Sequence, residues 1–332
     1  MIITRTPFRI SFFGGGTDYP IWFRRHGGAV LATTIDKYCY ISCRRLPPFF
    51  EHRHRIVYSQ IENVSHSAEI KHPSVRATLT LLKVKQGVEI HHDGDLPARS
   101  GIGSSSSFTV GLINALMALE GQHISKEALA NQAIYVEQEI LGEAVGSQDQ
   151  ISAAFGGFNR IEFIRDGSFK VNPVILPKEV MEKLQAHLML FFTGFSRFAP
   201  EIAQSKLQNI HTREKELATM RTMVDESIEL LQNKKTSLLE FGKLLHESWR
   251  YKRSLSDRVT TPEIDQIYEA ALQAGASGGK ILGAGGGGFI LLFVVPKYQK
   301  IVLEKLRHLV HVPFSFENSG SRVIVYQPDE VG

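Results

Sequence analysis

Cysteine is almost missing from this chain. Only Cys39 and Cys43 carry a thiol among 332 residues. Two cysteines cannot build a four-cysteine zinc site, and their spacing with Ile41 puts all three on one strand face, as core thiols of a reducing compartment. Long apolar runs are lacking too. No segment approaches the roughly 20 residues that a membrane-spanning helix requires. The N-terminus enters an apolar strand without a charged leader, an apolar signal segment or a small-residue cleavage site, so a cytoplasmic protein with no membrane partner is expected. Neither sign of charge dominates, with 38 Lys and Arg against 34 Asp and Glu and a net charge of +4. That excess is too slight for a nucleic-acid partner without a concentrated basic patch, and it suits a phosphorylated small molecule equally well. His52, His54, His66 and His72 crowd one region, but they alternate with Ile56, Val57 and Ile61 and lack metal-ligand spacing. A solvated strand-and-loop region fits them better.

What is present is enough apolar material for a full core. At 43% hydrophobic residues over this length, two packed domains are expected, divided as 1–185 and 186–332. The opening from Ile2 to Phe13 alternates, breaks at Gly14-Gly15-Gly16, and resumes through Trp22 and Val30 to Leu46, reading as strands joined by glycine turns. Val88 to His92 reads as a strand, followed by a Gly/Ser loop and a helix from about Ser105 to Leu119. Ser125 is a plausible cap for a further helix through Leu129, Ala133, Val136 and Ile140 to Gly142. Asn159–Phe163 and Leu188–Phe192 read as short strands. From Glu201 to about Ala274 apolar residues recur at i, i+3 and i+4, predicting helices. Strands return at Lys280–Leu282, Phe289–Val295 and Arg322–Tyr326, with a helix over 297–309. The whole is α+β, without internal repeats or long linkers, and nothing in it sets an oligomeric state.

Four segments carry chemistry. In Pro97-Ala98-Arg99-Ser100-Gly101-Ile102-Gly103-Ser104-Ser105-Ser106-Ser107 the glycines permit close backbone approach. The helix that follows offers N-terminal amides and the positive end of its dipole, and the hydroxyls can reach phosphate or Mg2+. Taken alone, such a loop is equally well a Gly/Ser turn with helix caps, since it lacks the Lys of a Walker A loop and the spaced glycines of a Rossmann turn. Gly283-Ala284-Gly285-Gly286-Gly287-Gly288 lies between two apolar strands. So many glycines cost chain entropy unless a ligand or another loop approaches closely. Arg9 to Pro20 joins a cation, a glycine turn and Asp18, and Gly146-Ser147-Gln148-Asp149-Gln150 places a carboxylate at a glycine-flanked helix start.

These four segments, in this order, resemble the GHMP kinase superfamily, which includes galactokinase, homoserine kinase, mevalonate kinase and phosphomevalonate kinase. Phe13-Gly14-Gly15-Gly16-Thr17-Asp18-Tyr19-Pro20, Val145-Gly146-Ser147-Gln148-Asp149-Gln150 and Thr193-Gly194-Phe195-Ser196-Arg197 look most like the D-glycero-D-manno-heptose 7-phosphate 1-kinases. Fucokinase domains share the Gly-Gly-Thr-Asp pattern, whereas galactokinases usually carry Glu-His where Gly15-Gly16 stand. The resemblance implies a two-domain fold: an N-terminal domain like domain 2 of ribosomal protein S5, and a ferredoxin-like C-terminal domain with extra helices. It implies ATP and Mg2+ as cofactors and a sugar phosphate as acceptor. By resemblance, Asp149 is the base or orienter and Arg9 its cation. ATP contacts are expected from Pro97, Arg99, Ser100, Gly101, Ile102, Gly103, Ser104, Ser105 and Ser106, and Mg2+ contacts from Ser105 and Glu137, with Glu139 and Glu143 close by in sequence. Substrate contacts are expected from Gly16, Thr17, Asp18, Gly285, Gly286 and Arg197. A phosphate at the far end of the substrate calls for Arg or Lys, with Arg24, Arg25, Arg197 and Lys280 as unranked candidates.

Overall fold

Alternation of Ile, Thr and Phe makes the first strand, β1 (Ile2–Phe13), which is buried along nearly its whole length in this computed structural model. The structure describes residues 1–194, 202, 209–233 and 235–328. After β1 the chain does not continue as strand. Pro20 opens a short helix, α1 (Pro20–His26), which buries Trp22 and Phe23 and ends at Gly27. Proline at the first helical position has its φ preset and loses no hydrogen bond there, and this overrides the strand reading through Trp22. The long strand β2 (Gly28–Arg45) then pairs with β1 over almost its full length. Cys39, Ile41 and Cys43 are all fully buried, on one face as their spacing requires, and burial pushes the Cys43 thiol up to about 12.

Next come β3 (His54–Val57), β4 (Ile61–Val64), α2 (Pro73–Leu81) and β5 (Val88–Gly94). They are followed by α3 (Ser104–Leu119) and α4 (Lys126–Ile134), the latter capped by Ser125 as expected. The predicted continuation of α4 to Gly142 departs from α geometry: Tyr135–Ile140 is a π-helical turn. The wider turn carries Val136 and Glu137 inward together. Then follow α5 (Gln148–Phe155), β6 (Phe158–Phe163), β7 (Phe169–Pro173), α6 (Lys178–Ala186) and β8 (Leu188–Phe192). The helical stretch contains α7 (Glu214–Gln232), α8 (Leu239–Ser254) and α9 (Pro262–Gln273). The chain closes with β9 (Ala276–Ile281), β10 (Phe289–Val294), α10 (Pro296–Lys305), β11 (Val310–His311), β12 (Phe316–Glu317) and β13 (Arg322–Tyr326).

The strands make two sheets among the described residues. In the larger, the order is β13-β1-β2-β5-β3-β4, with β6 and β12 also on β2 and β7 on β6. In the smaller, the order β11-β8-β10-β9 is antiparallel throughout. Numbered by chain position within that sheet this is 4-1-3-2, with helices before β9 and before β11, the ferredoxin-like arrangement. The fold is α+β. The end of the chain crosses the expected division at 185/186, because β12 and β13 return to β2 and β1 of the first sheet. Phe241 of α8 joins the sheets, with ring centroids 5.7 Å from Phe12, 5.2 Å from Phe13 and 6.1 Å from Phe293. Among the described residues no helix is long and apolar enough to cross a membrane.

Candidate active site

Arg9 leaves β1 just beyond Pro7, at a point where the β1–β2 register shifts. Asp149 stands in the first turn of α5. Though 140 residues apart, they meet in a forked ion pair: Arg9 Nε donates to Asp149 Oδ1 at 2.7 Å and Nη2 to Oδ2 at 2.8 Å. Such a forked pair holds a carboxylate in one orientation. The remaining guanidinium nitrogen, Nη1, donates to the Gly101 carbonyl at 2.7 Å. One buried cation thus ties the carboxylate to the glycine-rich loop.

That loop is held from within and from behind. Ser100 Oγ donates to the Pro97 carbonyl at 2.6 Å, and the Arg99 amide donates to Ser104 Oγ at 2.9 Å. Gly101 and Gly103 take φ of +85° and +76°, and α3 begins at the next residue, with first-turn amides that have no partner within the helix. Behind it lies the second glycine turn. A Cβ on Gly283 would stand 2.5 Å from Gly101 Cα, and one on Gly288 only 2.1 Å from the Ser100 carbonyl oxygen. Phe289 N–H donates to that same oxygen at 3.1 Å. The second turn is therefore chiefly a backbone buttress for the first.

Between these elements lies a cavity of about 710 Å³, ample for a nucleotide-sized ligand. Its wall includes Arg9, Asp149, Gly16, Asp18, Arg99, Gly101, Gly103, Ser104, Ser105 and Ser106, so the structure gathers most of the residues expected from sequence. Others do not line the cavity. Ile102 is fully buried, Ser100 and Pro97 hold each other, and Thr17 spends its hydroxyl on the Gly14 and Ala29 carbonyls. Gly283 and Ala284 line the cavity where Gly285 and Gly286 were expected, because those two pack on Val259 and the Gly286 amide donates to its carbonyl. Arg24 and Arg25 are exposed away from the cavity, and Arg197 lies outside the described residues.

Asp18 is 1% exposed and accepts from the Gly16 amide at 2.8 Å. Burial raises its pKa, and the charge of Asp149 adds to the rise. Gly146 has no room for a side chain, since a Cβ there would fall 1.9 Å from Asp18 Oδ2. Glu137 sits behind α3, where its Oε2 accepts from Ser106 Oγ at 2.9 Å and Gln150 Nε2 at 2.5 Å. Its Oε1 is buried without a partner. Burial lifts this carboxyl from 4.5 to about 7, against the bonds from Ser106 and Gln150.

The similarities of the chain agree with this arrangement. Residues 71–157 match the family described as GHMP kinases N terminal domain, and residues 227–311 match GHMP kinases C terminal. Over 96% of its length the chain is 32% identical to the D-glycero-alpha-D-manno-heptose 7-phosphate kinase of Campylobacter jejuni, covering 97% of that protein. The chain belongs to the GHMP kinase family. It is an ATP-dependent phosphotransferase. A bifunctional fucokinase/GDP-fucose pyrophosphorylase of Arabidopsis thaliana is 25% identical over 86% of this chain, which spans 29% of that longer protein. The crystal structure of a D-glycero-D-manno-heptose 1-phosphate kinase from Bacteroides thetaiotaomicron superposes with a TM-score of 0.81 over 98% of this chain and 100% of the other, at 24% identity, and so shares the fold.

Two lysines of this GHMP kinase join the site, one not foreseen. Lys252, on α8, donates to the Ile281 and Gly283 carbonyls at 2.6 and 2.7 Å and lines the cavity. Lys280 donates to the Phe12 carbonyl at 2.7 Å. The signal for Lys252 was legible: it continues the helical stripe of Leu245, Ser248 and Trp249, where a core residue belongs.

Proposed function

We propose that the chain transfers the γ-phosphoryl group of ATP to the anomeric hydroxyl of D-glycero-α-D-manno-heptose 7-phosphate. The products would be the 1,7-bisphosphate and ADP, on the way to nucleotide-activated heptose for surface polysaccharide. ATP supply puts this reaction in the cytoplasm. The observation that carries the chemistry is the Arg9–Asp149 pair, bonded to Gly101 of the phosphate loop inside the cavity. The acceptor is supported by the end-to-end similarity to the Campylobacter jejuni enzyme. In this reading Asp149 receives the proton of the anomeric hydroxyl as that oxygen bonds to the γ-phosphorus. The bond from the γ-phosphorus to the bridging oxygen breaks, and the electron pair leaves with ADP. Arg9 holds both oxygens of Asp149 in one orientation, and the amides around Gly101–Ser106 face the phosphates. Asp18 takes a sugar hydroxyl.

The residues also fit a divalent cation. Glu137 has one buried, unpartnered oxygen and sits beside Ser106, and Ser105 faces the cavity. Glu137 with Ser105 would hold Mg2+, which when bound supplies positive charge against the β- and γ-phosphates. The raised pKa of Glu137 yields a test without nucleotide. A carboxyl at about 7 when folded and near 4.5 when unfolded binds more protons in the folded state, so its contribution to stability is present below pH 4.5 and lost as pH rises through 7. Glu137→Gln is expected to flatten the fall in Tm between pH 5 and pH 8 in metal-free buffer. An unchanged slope would remove Glu137 as the source.

The acceptor is tested by ADP release with Mg-ATP and heptose 7-phosphate, fucose, galactose, mannose or mevalonate, and the new phosphate is located by phosphorus NMR. Selective phosphorylation of the heptose at its anomeric oxygen is the expected result. Turnover of fucose alone would move the chain to the fucokinases, and ATP binding without any acceptor would make it a sensor.

A further inference from the structure

Behind the Arg9–Asp149 pair the cavity wall holds two polar groups that no protein atom satisfies. Ser11 lies two residues beyond Arg9 on β1, so its side chain is on the same strand face. It is 5% exposed, and its Oγ is buried without a hydrogen-bond partner. Gln148 immediately precedes Asp149, and its Oε1 is likewise buried and unpartnered. Both residues line the cavity. They also converge: the point a Gly15 Cβ would occupy is 3.6 Å from Ser11 Oγ and 3.8 Å from Gln148 Nε2. The absence of a side chain at Gly15 is what leaves the space between them open.

Buried polar atoms left unsatisfied are rare and costly, and at a cavity wall they call for a ligand. The chemistry of the two groups restricts that ligand. Ser11 offers a hydroxyl that can donate or accept, and Gln148 offers a carbonyl acceptor beside an amide donor. A sugar hydroxyl, which both donates and accepts, satisfies the pair. A phosphate oxygen would set negative charge against the Gln148 carbonyl.

We infer that Ser11 and Gln148 form a specificity subsite that hydrogen-bonds one ring hydroxyl of the acceptor other than the hydroxyl facing Asp149. This rests on the sugar-kinase reading given above and deepens it. Ser11 lies two strand residues beyond Arg9 and Gln148 immediately precedes Asp149, so the subsite borders the ion pair. A pyranose whose anomeric oxygen faces Asp149 therefore presents its ring hydroxyls toward the subsite. An acceptor lacking the matched hydroxyl would leave both groups buried and unpaired, which is the strongest form of discrimination available to a binding site.

The test uses full-length protein, Ser11→Ala and Gln148→Leu, with heptose 7-phosphate and a set of analogues each lacking one ring hydroxyl. Wild type is expected to disfavour one analogue by about a hundredfold or more in kcat/KM. In either variant that ratio should fall below about tenfold, with the acceptor KM raised and the ATP KM unchanged. A second readout needs no substrate. Removing a buried, unpartnered hydroxyl relieves its desolvation cost, so Ser11→Ala is expected to raise the Tm of the free enzyme by about 2 °C. Ser107→Ala, which deletes a bond of 2.9 Å to the Pro7 carbonyl, should lower it. If wild type ignores the heptose phosphate but turns over another sugar, the acceptor assignment falls, and the same comparison on that sugar judges the subsite. If no sugar reacts, the sugar-kinase reading and the subsite both fall. A lowered Tm for Ser11→Ala, or discrimination unchanged in both variants, overturns the subsite alone.

Discussion

Asp149→Asn is expected to lower kcat about a thousandfold while leaving ATP binding within a factor of two or three, the loss typical of removing a positioned general base. The substitution keeps shape and removes charge. Arg9 presents two N–H donors to the two carboxylate oxygens, whereas an amide offers only one acceptor and turns its own N–H toward a donor. The side chain must rotate away, so base and orientation are lost together. Single-turnover kinetics with a separate nucleotide titration distinguish this from a binding defect. A kcat within tenfold of wild type would exclude Asp149 from the phosphoryl transfer. A parallel loss of ATP affinity would mean that the ion pair shapes the phosphate loop rather than the chemistry.

Gly288→Ala is expected to cause severe structural damage at the site. The added carbon would stand 2.1 Å from the Ser100 carbonyl oxygen and 2.6 Å from its carbon, at a residue with φ of +89°. Both partners are backbone, so no rotamer change relieves the contact. The two glycine loops must separate, which breaks the Phe289 to Ser100 hydrogen bond and shifts the residues preceding Gly101. A stability loss of about 3 kcal/mol is expected from overpacking and backbone strain together, with the ATP KM raised at least about tenfold. Gly121→Ala is the control. Gly121 also has positive φ, +68°, but nothing lies within 4 Å of its Cβ position, so strain alone should cost about 1 kcal/mol. Equal behaviour of the two variants, in thermal unfolding and in ATP saturation, would show that the second glycine turn does not buttress the first.

Where local signals are strong, sequence and structure agree closely. The strand–loop–helix around Gly101, the Ser125 cap, the start of α5 and the strands β8 and β10 all follow from turn residues and from periods of two and 3.6. The differences have physical causes. Trp22 and Phe23 look like strand residues until Pro20 is weighed as a helix start. The π-helical turn at Tyr135–Ile140 keeps a helical apolar pattern and so leaves no mark in the periodicity. Gly285 and Gly286 belong to a turn correctly read as needing close approach, but the approaching group is the Val259 backbone, which no local pattern names. Ser100, Ile102 and Thr17 belong to the right loops and point into the protein.

The sequence by itself determined most of the elements, the places where glycine is obligatory, and the donor and acceptor groups on which the candidate site draws. These depend on φ preferences, side-chain period and donor type, all of which act within a few residues. Tertiary structure decided which of those groups meet. Arg9 and Asp149 lie on a strand and a helix far apart in the chain, and they face each other because α3 and α5 pack on β1 and β2 to bury a shared apolar face. The same packing leaves Ser11 and Gln148 with unpaired polar atoms on the cavity wall. It sets the second glycine turn against the first, and it returns β12 and β13 to the opening sheet. Contacts of that kind are selected by the burial of whole faces, a global condition met by many residues at once and recorded in no single segment.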